Sequence, residues 1–268
     1  FGTPAPKSNA DFLLPSEAAR WIRPRAAHLH KHSAGIVHLW AGSTTYPGAA
    51  VLASEGALRS GAGYVRLFTE RTVTAPIPTR LPELLLTPHA EGTAPDLTAF
   101  QTQAQALVIG PGLPSSAALE DFLRRLLSTA KVPVVLDAGA LDLVANHPEW
   151  LETTQAPVIL TPHAGELSRL VGQKVEDRSE AARVWLDRHP HTLLVAKGPH
   201  TLVASSDHAF SHNSTGGPAQ ATAGMGDLLA GLTGGLLATG YSPFDAARLA
   251  VLWHGLAAGL AEQAAGPV

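Results

Sequence analysis

Short apolar runs alternate with helix-period segments along most of this chain. IVHLWAG is rich in β-formers and is followed by the loop STTYPG and then the helical pattern AAVLASEGALRSG. YVRLFT reads as the next strand. LVIG leads through GPGLP into SSAALEDFLRRLLSTA, where Leu119, Phe122, Leu123, Leu126 and Leu127 fall at i, i+3, i+4, i+7 and i+8, one face of a helix. VPVVLDAG and APVILTP are runs of the fully buried type, the second feeding the helix GELSRLVG. TLLVAKG, TLVASS and AFSHNS are three closely spaced β pieces, the spacing of hairpin connections. Two helices close the chain, over roughly 227–239 and 243–264. Strand, loop and helix in repeated order predict an α/β fold with a largely parallel central sheet and helices on both faces. LLLTPHAEG (84–92) and VILTPHAGE (158–166) look alike, but no second pair recurs at that offset, so no repeat is assigned.

Composition narrows this picture. With 268 residues, 45% hydrophobic and 15% charged, the chain has ample material for a core. A net charge of -3 and scattered Lys and Arg leave no footprint for nucleic acid or a membrane surface. Residues 228–244 carry no charge, yet the run is too short and too rich in Gly, Ser and Pro to cross a bilayer. It reads as a buried helix. The absence of cysteine excludes a disulfide framework, thiolate zinc sites and a cysteine nucleophile, and fits a cytoplasmic protein. One composition shift, near residue 20, sets the expected organisation: 1–20 as a linker or tail of a preceding domain, 21–268 as a single domain. Phe1 in place of Met, followed by the tail-like FGTPAPKSNADF, gives the expectation of one domain from a longer protein.

The candidate chemistry centres on TAGMGDLLAGLTGG (222–235), where Asp227 stands among glycines at the start of a helical run. Gly216, Gly217, Gly224 and Gly226 allow backbone N–H groups to converge, and the helix end adds partial positive charge, so the loop suits a phosphate. Asp227 cannot itself bind that anion. Either it takes a proton from a hydroxyl that attacks phosphorus, or it N-caps the helix and the glycines are turn residues. None of the five lysines follows a glycine, so a P-loop is absent. GPGLPS (110–115) lacks the third glycine of a dinucleotide loop, and the next acid, Asp137, lies 27 residues beyond Gly110, which does not fit hydride transfer. In AKGPHT (196–201), Lys197 is placed to reach a nucleotide phosphate and Thr201 to hydrogen-bond it, or else Lys197 is a solvated turn residue. His163 and Glu166 form an i, i+3 pair with no third ligand nearby, and Thr161-Pro162 shaping a loop with Glu166 opening a helix is the simpler reading. HLHKH (28–32) matches a metal tract by composition only and reads as a solvated segment. No metal-ligand set is assigned.

Taken in order, HKHSAGIVHLWAGSTTYPGAAVLASEGALRSGAGYVRL, VIGPGL, VLDAGAL, ILTPHAGE, AKGPHT and TAGMGDLLAG resemble the ADP/ATP-dependent NAD(P)H-hydrate dehydratase family, which has the ribokinase-like fold. The resemblance runs from about Arg25 to the C-terminus. GxGD is shared by many ribokinase-like kinases, whereas YPGAA with ALRSGAG and TPHAGE is more specific. The resemblance implies dehydration of (S)-NADHX and (S)-NADPHX to NADH and NADPH, with ADP or ATP as co-substrate, Mg2+, and phosphoryl transfer to the ring hydroxyl before phosphate is eliminated. ADP, leaving as AMP, is the expected donor. It further implies Asp227 as the base and the backbone of Ala223, Gly224, Met225 and Gly226 as the anion hole. Lys197, Gly198, Pro199, His200 and Thr201, with Gly226, would hold the nucleotide, and Ala49, Gly112 and His163, with Asp227, the hydrate. An epimerase domain in the same full-length chain and a homo-tetramer are implied as partners. Four positions depart from the family pattern: Met225 for Ser or Thr, Pro114 in GPGLP for GPGLG, Ala164 in TPHAGE for TPHPGE, and Gly139 in DAGAL for DADAL. The rivals are a small-molecule kinase of the same fold, such as a hydroxyethylthiazole kinase, and a nucleotide sensor without turnover.

Overall fold

The computed structural model describes residues 11–24, 28, 30–208 and 210–265. The chain opens with β1 (Asp11–Leu13), α1 (Pro15–Ala18), β2 (Ile36–Trp40), α2 (Pro47–Arg59), β3 (Tyr64–Glu70), α3 (Ile77–Arg80) and β4 (Leu85–His89). It continues with α4 (Leu97–Gln101), β5 (Ala106–Ile109), α5 (Ala117–Thr129), β6 (Val134–Leu136), α6 (Gly139–Asn146), β7 (Val158–Leu160), α7 (Ala164–Val171) and α8 (Arg178–Arg188). β8 (Thr192–Ala196), β9 (Leu202–Ser205), β10 (Ser211–Asn213), α9 (Met225–Ala238) and α10 (Pro243–Ala265) complete it.

The strands form one sheet in the order β1-β10-β9-β8-β7-β6-β5-β2-β3-β4. Every neighbouring pair from β8 to β4 is parallel, and β8, β9 and β10 run antiparallel, as their close spacing predicts. The order of connection reverses between β2 and β5. Beyond the carboxyl ends of two such strands, an open sheet leaves a crevice for ligands.

Two parts of the sheet differ from the sequence reading. β1 pairs with β10 from Asp11↔Ser211 to Leu13↔Asn213, and Leu13 and Ala18 are buried. The segment 11–20, expected with the tail, therefore includes an integral edge strand and its following turn of helix, because Leu13 and Ala18 find apolar neighbours there. Residues 1–10 of that expected tail, together with Arg25 and Leu29 of the segments quoted above, lie outside the described residues. β4 was not anticipated either. It holds Pro88, which lacks a ladder donor and is tolerated because β4 is at the sheet's other edge.

Apolar residues fill both faces of the sheet. One layer joins β2, β3 and β5 to α2, α9 and α10, and the other packs α5, α6, α7 and α8 on the opposite face. The five residues that define the face of α5 are all buried. The charge-free run becomes α9, with every residue from Leu229 to Ala238 buried. Its glycines serve close approach: a Cβ on Gly231 would come within 1.8 Å of Ala53 O, and one on Gly56 within 2.1 Å of Leu228 O. Backbone therefore packs on backbone between α2 and α9, which fixes the N-terminus of α9 over the crevice. Gly231→Ala is expected to lower unfolding free energy by about 3 kcal/mol in denaturant titration, since neither backbone can yield cheaply; unchanged stability would show that the two helices are free to separate.

Candidate functional site

Asp227 does not cap its helix. α9 begins two residues earlier than expected, with Gly224 at the N-cap (φ +90°) and no side-chain cap, so Asp227 stands in the first turn. This overturns the capping alternative. The N–H groups of Gly226 and Asp227 have no backbone acceptor among the described residues, as the opening turn of a helix leaves them. Those donors and the helix dipole make the spot attractive to an anion. The Asp227 side chain makes no hydrogen bond among the described residues. Burial, then the charge of Asp137, pushes its carboxyl up to about 6, with Lys197 opposing and Glu166 adding to the rise.

Behind α9 lies a set of charges that spacing alone did not reveal. Asp137, Thr161 and Lys197 each follow directly the last residue of β6, β7 and β8, so parallel pairing brings them side by side. Lys197 Nζ donates to Asp137 Oδ1 at 2.7 Å and stands 3.8 Å from Glu166 Oε2. Thr161 Oγ1 donates to the same Asp137 oxygen at 2.7 Å. Burial pulls the Lys197 ammonium down, but Asp137, Glu166 and Asp227 together hold it above its ordinary value. Burial pushes the Glu166 carboxyl up, against the pull of Lys197. Lys197 is thus an ion-paired interior residue rather than a solvated turn lysine. The backbone next to it is strained: Ala138 takes φ +45° and ψ −121°, a conformation that costs a non-glycine about 1–3 kcal/mol.

His163 and Glu166 form a capping box on α7. His163 Nδ1 accepts from Gly165 N at 3.0 Å, and His163 N donates to Glu166 Oε2 at 2.7 Å. Glu166 thereby links His163 to Lys197. Among the described residues, no group of three His, Asp or Glu is placed to hold a metal. Lys197 fills the space between Asp137 and Glu166, so this donor set does not form a protein cage for Mg2+; the ion fits only as a companion of nucleotide phosphates.

Ala49 and Gly112 meet on the other side, at the crevice between β2 and β5. Gly112 has φ +65°, and a Cβ there would lie 2.4 Å from that of Ala49. Ser43 Oγ donates to Gly112 O at 2.8 Å, tying the loops after β2 and β5 together. Glu70, another residue the sequence did not single out, accepts from Thr44 N at 3.0 Å and Gly92 N at 3.1 Å, fastening the first of those loops. On the opposite side of α9's first turn is a cavity of about 490 Å³, lined by Lys197 to Thr201, by the segment 214–218, and by Met225 and Gly226. A Cβ on Gly226 would reach Lys197 Nζ at 3.1 Å. The structure so brings Lys197, Gly198, Pro199, His200, Thr201, Met225 and Gly226 to one cavity, while Ala49, Gly112 and His163 lie outside its lining. Ala223 is exposed.

The family profile described as NAD(P)H-hydrate dehydratase matches residues 37–268. A Salinibacter ruber protein named bifunctional NAD(P)H-hydrate repair enzyme is 39% identical over 250 residues, covering 89% of this chain and 46% of that protein. The chain spans about half the length of such bifunctional relatives. A Bacillus subtilis protein named ADP-dependent (S)-NAD(P)H-hydrate dehydratase is 37% identical over 256 residues, covering 94% of this chain and 90% of that one. The crystal structure of the Bacillus subtilis ADP/ATP-dependent enzyme, co-crystallized with ATP/Mg2+, superposes with a TM-score of 0.82 at 33% identity, covering 95% of this chain and 91% of that one. A ribokinase-like superfamily protein from Enterococcus faecalis, at 24% identity and 98% and 92% coverage, shares the fold with a TM-score of 0.82.

Proposed function

Because the chain belongs to the NAD(P)H-hydrate dehydratase family, we propose that it dehydrates (S)-NADHX and (S)-NADPHX at the expense of ADP, returning NADH and NADPH with AMP and phosphate. One observation carries the reading. Asp227, unpaired and raised to about 6, stands one residue past Gly226 at the positive end of α9. A base of that strength is ionised at neutral pH and still matched to accepting a proton.

The nucleotide enters the 490 Å³ cavity, with its terminal phosphate at the free N–H groups of Gly226 and Asp227 and its remainder against Lys197 to Thr201. Magnesium, held by the nucleotide phosphates rather than by side chains of this chain, would offset their charge. The hydrate lies against Ala49 and Gly112, with His163 on the far wall. Asp227 takes the proton of the ring hydroxyl as that oxygen bonds to the terminal phosphorus of ADP, and AMP departs with the broken bond's electron pair. The ring nitrogen then expels phosphate, and loss of a ring-carbon proton restores the double bond. Lys197 partly offsets the charges of Asp137 and Glu166 behind this site, which opposes their upward push on the Asp227 carboxyl.

We place the chain in the cytoplasm, beside an epimerase domain and as a tetramer; the half-length match to bifunctional relatives supports the first partner, and light scattering tests the second. A small-molecule kinase would use the same base but stop at a phosphate ester. Phosphorus NMR of a reaction with hydrated NADPH, magnesium and ADP separates the two: AMP and inorganic phosphate are expected in equal amounts, and an accumulating ester would support the kinase. Repeating it with ATP establishes the donor.

A further inference from the structure

The nucleotide cavity has a polar end that the proposed reaction does not use. The segment 214–221 closes it, and α10 grips that segment from behind. Asn213 Nδ2 donates to Val251 O at 3.1 Å, Thr215 Oγ1 donates to Leu252 O at 3.0 Å, and Glu262 accepts from Ala219 N at 2.7 Å. Gln220 Nε2 donates to His254 Nδ1 at 2.7 Å, and both residues line the cavity. His254 is 7% exposed, and its Nε2 has no partner. Burial holds its imidazole below the ordinary range, so the neutral ring keeps Nδ1 as an acceptor. One N–H of Gln220 is engaged by His254, and its Oε1 accepts no hydrogen bond among the described residues. That oxygen passes over Gly216 (φ +112°), where a Cβ would stand only 2.1 Å away. A fixed backbone, a fixed amide nitrogen and an unused carbonyl oxygen make a directional acceptor.

We propose that Gln220 reads the nucleobase, its Oε1 accepting from the exocyclic amine of adenine, with His254 as the positioning residue that fixes the amide. The inference rests on the nucleotide reading of this cavity: Gln220 and His254 share its lining with Gly226, so a nucleotide with its phosphates at Gly226 has its base within the same walls. An acceptor there suits an amine and repels the carbonyl oxygen that hypoxanthine carries at the same ring position, so the site discriminates between purines by one hydrogen bond gained or one acceptor pair opposed.

The test compares ADP with inosine diphosphate on the full chain, by KM in the dehydration assay and by nucleotide-induced thermal shift. The wild-type protein is expected to favour ADP by at least about tenfold in KM. Gln220→Ala should bring the preference to within about twofold by raising KM for ADP, with most of the loss in KM rather than kcat. Gln220→Glu, which retains an acceptor, should retain a preference for ADP. If Gln220→Ala raises KM equally for both nucleotides, the residue only supports the loop and the inference is overturned. Equal KM values in the wild type, with dehydration intact, overturn it and leave the proposed function standing. No thermal shift and no turnover with either nucleotide would remove both.

Discussion

Asp227→Asn should lose about a thousandfold in kcat/KM for the hydrate while gaining stability at neutral pH. The kinetic loss follows from removing a positioned general base. In the wild type, kcat/KM should rise with pH through about 6, where the Asp227 carboxyl ionises; the asparagine variant should lack that limb. The stability effect follows from the same raised value. A carboxyl raised from the 3.8 of an unfolded chain to about 6 favours the folded state in its protonated form. That contribution is complete below about pH 4 and is lost as pH rises through 6. Above that, the ionised group costs about 1–3 kcal/mol, the lower part applying because Asp227 keeps some solvent contact. The variant should therefore melt higher than the wild type at pH 8 and equally with it near pH 4. A variant that melts lower at pH 8 would mean that the carboxylate is stabilised by a partner.

Lys197→Ala should cost about 3–5 kcal/mol at pH 7, because it leaves Asp137, Glu166 and Asp227 near one another with no cation between them. Denaturant titration against pH provides the check. Lys197 is raised above its ordinary value, so in the wild type the pair's contribution is fully present at neutral pH and fades only as pH climbs through that raised value. In the variant, the penalty should shrink on acidification, first as Asp227 and Glu166 take up protons. A Lys197→Ala protein as stable as the wild type at pH 7 would show that water, not the ammonium, solvates these acids. Turnover should fall as well, since without Lys197 the Asp227 carboxyl shifts further up and the base is lost at neutral pH.

Much of the frame was legible because its signals are local. The apolar face of α5 repeats with the helix period, and the runs at β2, β5, β6, β7 and β8 have no competing helical pattern. β1 is three residues long and β4 contains a proline, so neither carries a periodic signal; the neighbouring strand defines each of them. Asp227 was visible because glycines crowd it. The pairing of Lys197 with Asp137 was not, because the two are 60 residues apart in sequence and meet only through strand register. One trace of it was present: Asp137, Thr161 and Lys197 are each the first polar residue after a buried apolar run. The departure at Gly139 also has a spatial reading. A Cβ there would stand 2.2 Å from Leu113 O, so the loop carrying Pro114 lies on the place where the family pattern has a carboxylate. Both departures belong to one contact.

The most direct test is to mix the protein with hydrated NADPH, magnesium and ADP, and to follow reduced-nicotinamide absorbance with and without the nucleotide. Recovery of absorbance that requires ADP or ATP and disappears in Asp227→Asn is the result expected. A nucleotide-independent rate, or the same rate in the variant, would contradict Asp227 as the base of a phosphoryl-transfer dehydration.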